Sequence, residues 1–269
     1  MAANGAATLM SALAWRSRRE GIRYLLLPLA LFAFVLLVLF LITLPDSGQG
    51  VNGAQELGTF GERYGAHADS IVIGVALLIG PGLVAVFGSF AVLQLVRNVI
   101  GGESSSGGIE ALLAAPYRPR NIMVALLGFA AVAAAGSWAA MTAMLALAVA
   151  LIAWTAGTSV SLTASYLLAA LLVPLLSALC ATSLAVGVNL LFPRLSRTGS
   201  YGLNMGGGGI GYLPAVVPGI AVMLVFSLWG AHVGLLELLA VAGGSTGAVT
   251  VVTVAMVAAW FSPDAVLES

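Results

Sequence analysis

The chain has 269 residues, 61% hydrophobic and 7% charged, with ten basic and ten acidic side chains and no net charge. Soluble domains carry about 25% charged residues, so the composition excludes a soluble enzyme, and the neutral balance points to no nucleic-acid partner. Every basic residue is arginine; without lysine there is no Gly-Lys-Ser/Thr phosphate loop, so any ATP used must be bound by another chain.

Taken in order, the first 20 residues place Leu9, Met10, Leu13 and Ala14 at helical spacing ahead of Arg16, Arg18, Arg19 and Arg23. That pattern predicts a short amphipathic helix lying at the membrane interface. The apolar run 25–44 follows. It exceeds a signal-peptide core and has no small-x-small cleavage pattern after it, so it is expected to be a retained first span. Residues 45–70 are polar. The second span is 71–96. A glycine-rich charged insert comes next, and the third apolar run, 122–154, is longer than one crossing of about 20 residues. A short polar turn, 155–165, leads to the fourth span, 166–192, with Pro174 as a kink.

A second polar insert, 193–209, precedes apolar sequence from 210 to 261. Two spans, 212–229 and 246–261, leave residues 230–245 between them. These are too few to cross and return, and too apolar for an aqueous loop. With Gly230, Gly234, Gly243, Gly244 and Gly247 permitting reversals, they are expected to form a re-entrant helix on the outer side, with His232 and Glu237 near the headgroups as a gate on exit. The whole chain, 1–269, reads as one transmembrane domain of six helices.

Arginine sets the orientation. Nine of the ten lie in the N-terminal tail, the 97–120 insert or the 193–209 insert; only Arg63 lies elsewhere. Cytoplasmic loops collect such residues. Six spans put all three segments on one side, so both termini are expected to be cytoplasmic, in a multi-pass protein of the plasma membrane. His67 and His232 lack metal-site spacing, Cys180 has no intrachain partner, and no metal or cofactor is expected in this chain. The run "MGGGG" at 205–209 reads as a hinge into the fifth span.

The insert "GGESSSGGIEALLAAPYRPRN", 101–121, carries the most specific signal. Ser106 can cap a short helix, Glu110 suits its N-terminal dipole, Leu112 and Leu113 give it an apolar side, and Pro116 and Pro119 stop it. In register and without a gap, Glu103, Gly107, Ile109, Glu110, Leu112, Leu113, Pro116, Arg120 and Ile122 make the stretch resemble the cytoplasmic coupling segment of ABC-2 type exporter permeases. Ser105, Gly108 and Leu126 depart from that pattern, which more often has an acid, Thr and Lys there. The resemblance implies a coupling helix on which a separate ATP-binding cassette subunit docks, with ATP and Mg held on that partner. It also implies a second permease subunit, identical or not, and an unidentified exported substrate. A haem-exporter-type permease of cytochrome c maturation shares the six-span plan and an "LPxxxP" stretch like "LPAVVP" at 213–218. An ion-coupled secondary transporter needs several ionisable groups at membrane depth, and here only Glu237 qualifies.

Overall fold

A computed structural model describes residues 2–42, 71–100, 119–155, 160–192, 213–229 and 234–260. These are almost entirely helical, with no β-strand among them: α1 (Ala2–Ile42), α2 (Ile71–Leu95), a π-helical turn (Val96–Ile100), α3 (Pro119–Thr155), α4 (Ala164–Leu191), α5 (Leu213–Trp229), α6 (Leu235–Leu238), a second π turn (Leu239–Gly243) and α7 (Gly244–Trp260). Among the described residues four stretches are long and apolar enough to cross a membrane: Ile73–Leu95, Arg120–Thr155, Ala164–Leu191 and Leu236–Trp260. Shorter apolar helices are Leu25–Val38 and Ala215–Leu228. The protein is a helical membrane protein.

Local chemistry accounts for the ends. Pro119 opens α3, where a missing N–H costs nothing and φ is already helical. Thr163 caps α4, its hydroxyl accepting from the Tyr166 amide at 3.4 Å. α4 runs through Pro174 without ending there.

α2 is the central rod and packs against α1, α3, α4 and α5. Two glycines let it meet α5 nearly backbone to backbone. A Cβ on Gly82 would lie 2.8 Å from Met223 Cα, and one on Gly219 would lie 2.8 Å from the Ala85 carbonyl oxygen and from Ser89 Oγ. Small residues serve membrane helices this way, because water supplies no drive for helix association in lipid and close packing must.

The rods alternate in direction. One buried cluster joins Leu9 and Leu13 of α1, Val92, Leu95, Val96 and Val99 at the end of α2, and Ile122 to Phe129 at the start of α3. The same cluster takes Val186 and Leu190 of α4, Ala215 of α5 and Val257 of α7. At the other end Ile73 and Leu77 meet Ile152, Ala153, Tyr166 and Ala169. The ends of α2 and α4 therefore lie at one end of the bundle, together with the N-terminal part of α1. Between these levels Phe32 packs edge-on against Phe87, ring centroids 5.6 Å apart.

Two expectations need correction. The N-terminal interfacial helix is not separate from the first span: residues 2–42 are one helix of 41 residues, about 60 Å at 1.5 Å per residue. Gly21, at the junction, costs a helix only about 1 kcal/mol, and Pro28 does not end it. Its apolar face also meets protein, since Leu9 and Leu13 are buried against α2 and α3. At the other end of the chain, the reversal expected at Gly243 and Gly244 is not taken. Gly244 is helical, φ −63° and ψ −45°, its N–H donating to the Ala240 and Val241 carbonyls. The Thr246 hydroxyl donates to the Ala242 and Gly243 carbonyls at 2.7 and 3.1 Å. A π turn absorbs the irregularity, so residues 235–245 run into the last span, which starts near 236 instead of 246.

Candidate functional site

The expected docking residues Glu103, Gly107, Ile109, Glu110, Leu112, Leu113 and Pro116 lie outside the described residues. Their two roots are described. On the α2 side the root is the π turn Val96–Ile100. A π turn breaks the register of backbone bonding, and there the Asn98 side-chain amide donates to the Gln94 carbonyl at 2.7 Å. On the α3 side Pro119 begins the helix and Arg120 is exposed. Leu95, Val96, Val99, Ile122, Met123 and Leu126 are buried between the roots.

The N-terminal part of α1 is seated on both roots. Leu9 and Leu13 enter the cluster, and Met10 fills the space left by Gly128: a Cβ there would be 2.7 Å from Met10 Sδ. This support escaped the sequence reading. Its signals were Gly128 inside an apolar helix and the Leu9–Leu13 spacing, read as a lipid-facing stripe.

The expected outer gate is only half described. His232 lies outside the described residues; Glu237 is exposed on the short α6. Its carboxyl group lies 3.7 Å from where a Cβ on Gly234 would sit. Glu237 is away from the insert roots: Gly243 meets Leu176 midway along α4, while Val257 reaches the root cluster.

Among the described residues no group of His, Cys, Asp and Glu could hold a metal ion. Cys180 is buried at the contact of α4 with α7, beside Thr250. The Ser89 and Ser177 hydroxyls are buried without a hydrogen-bond partner. Ser89 lies where Gly219 brings α5 against α2, too closely packed for a substrate.

The outer surface is apolar. Leu27, Leu31, Phe34, Val217, Ile220, Leu224, Val251 and Val252 are exposed. Trp154 lies in the last turn of α3 and Trp260 ends α7, at opposite ends of the bundle, 79% and 68% exposed. Exposed tryptophan at both ends of an apolar band is the pattern of the two membrane–water interfaces. Comparison with protein-family models, with curated proteins and with solved structures gives no match for this chain.

Proposed function

We propose that this chain is the transmembrane subunit of an ATP-binding-cassette exporter of the ABC-2 type. It spans the plasma membrane six times with both termini cytoplasmic, pairs with a second permease subunit, and is driven by a separate ATPase docked on residues 103–116. The observation that carries the reading is the in-register coupling motif between the second and third helices. The placement of its roots supports it, because they share one end of the bundle with the start of the second insert and with α1, where nine of the ten arginines fall in sequence. The absence of lysine supports it too, since nucleotide binding is then left to a partner.

The six crossings ask α1 and α5 to serve as spans. α5 has 17 residues, about 25 Å, slightly short of the roughly 30 Å hydrocarbon layer; local thinning of the bilayer accommodates such a mismatch. The tight α2–α5 junction favours a substrate path between paired subunits over one through a single bundle. A haem-exporter-type permease is the second reading, favoured by "LPAVVP", which opens α5 with two prolines four residues apart. Secondary transport is disfavoured, because Glu237 is the one acid among the described side chains and it is exposed.

The test is removal of the apolar side of the coupling helix. Leu112→Ala with Leu113→Ala should abolish co-purification of the ATPase and its substrate-stimulated hydrolysis, while the chain still inserts. Unchanged docking and unchanged coupled hydrolysis would reject residues 103–116 as the site.

A further inference from the structure

The centre of α2 reads Ile-Gly-Pro-Gly-Leu, 79–83, and its two glycines face different helices. Pro81 lies inside the helix. It has no N–H, so the carbonyl four residues earlier, that of Leu77, loses its helical donor. An unpaired carbonyl at this depth is costly, because no water is at hand to take its place. The Tyr166 hydroxyl of α4 donates to that oxygen at 2.7 Å, and the bond is buried. Tyr166 is 3% exposed and sits in the capped first turn of α4, so its ring is held in place.

On either side of the proline α2 has no side chain. A Cβ on Gly80 would lie 2.8 Å from the Leu145 methyl groups of α3, and one on Gly82 would lie 2.8 Å from Met223 Cα of α5. Here the helix has lost one backbone bond and has no side-chain bulk for two positions that flank it. Sharp bends in helices concentrate at such places. Beyond it the outer part of α2 is anchored through Ile73 and Leu77 to α3 and α4. The inner part runs on to Val99 and the root of the 101–118 insert.

We propose that Pro81 is a hinge dividing α2 into an outer and an inner part, and that the Tyr166 hydroxyl is the latch that holds it straight. With the latch closed the Leu77 carbonyl is satisfied and α2 behaves as one rod. With it open the inner part, bearing the insert, bends independently of the outer part. The Gly82 and Gly219 contacts make α5 the neighbour that moves with the inner part. The hinge does not depend on the transport reading, since every group in it belongs to this chain and none lies in the docking segment.

Hydrogen exchange on the full chain in lipid nanodiscs, with no partner subunit, tests the latch. Tyr166→Phe keeps the ring and removes only the donor. It should raise exchange in residues 73–80 about three- to fivefold, the worth of one buried membrane hydrogen bond, and leave residues 84–95 unchanged. Pro81→Ala restores an N–H to the Leu77 carbonyl, so exchange there should fall, and adding Tyr166→Phe to Pro81→Ala should change nothing further. A merely structural tyrosine would cost the same in both backgrounds. Equal effects in the two backgrounds, or no effect of Tyr166→Phe in the wild-type background, overturn the proposal. Should Tyr166→Phe alone fail to fold, the pair Pro81→Ala and Pro81→Ala/Tyr166→Phe decides it: matching exchange supports the latch and a difference overturns it.

Discussion

At the residue scale, the glycines of this chain divide by what a methyl group would meet. A Cβ on Gly219 would lie under 3 Å from the Ala85 carbonyl oxygen and Val86 Cα, and backbone cannot step aside as a side chain can. Gly219→Ala should push α5 off α2 and destabilise the protein by about 1–3 kcal/mol, the usual cost of overpacking. Gly136 has nothing within 4 Å, and Gly136→Ala should stabilise by up to about 1 kcal/mol through helix propensity. Thermal unfolding of the two variants in detergent checks the contrast, and similar shifts would contradict the packing. The sequence marks both positions only as glycine in a helix. Which glycine is an approach point depends on the facing helix, and no periodicity in one helix reports that. Tyr166 is the same kind of case: Pro81 announces an orphan carbonyl, but the donor comes from a residue 85 positions further along.

At the scale of elements, the helices expected over 71–96, 122–154, 166–192 and 212–229 were legible to within a few residues, because a 20-residue apolar run in water-free surroundings has little choice but helix. Continuity was not legible. Residues 2–42 and 235–260 were each expected to break, the first for its change from polar to apolar, the second for its glycines. Helix persisted through both, since hydroxyls of Ser245 and Thr246 and the α1 contacts with α2 and α3 make it the cheaper arrangement. The docking segment was legible only as a motif, and its residues lie outside those described. The seat of α1 on the insert roots gives a prediction at this scale. Leu9→Ala with Leu13→Ala removes two buried side chains, each worth about 2–5 kcal/mol in a packed core. It should release residues 2–20 to limited proteolysis while residues 25–38 stay protected. Equal protection of wild type and variant would show that the N-terminal part of α1 is held by lipid instead.

At the scale of the whole molecule, the sidedness expected from arginine can be tested from outside the cell. Arginine is expected to mark three segments as cytoplasmic, and the packing places the N-terminal part of α1 and the ends of α2 and α4 at one end of the bundle. Single cysteines at Asn52 and Ser200, in a Cys180→Ser background, should therefore differ in intact cells. An impermeant thiol reagent is expected to label position 52 and spare position 200; equal labelling would reject the sidedness. The central claim is that this chain works as half of a permease pair powered by separate ATPases. Native mass spectrometry of the complex extracted from its own membranes measures this directly. The expected particle contains two six-span subunits, at least one of them this chain, and two ATP-binding subunits, and it hydrolyses ATP. A particle holding this chain with no nucleotide-binding subunit and no ATPase activity would contradict the account.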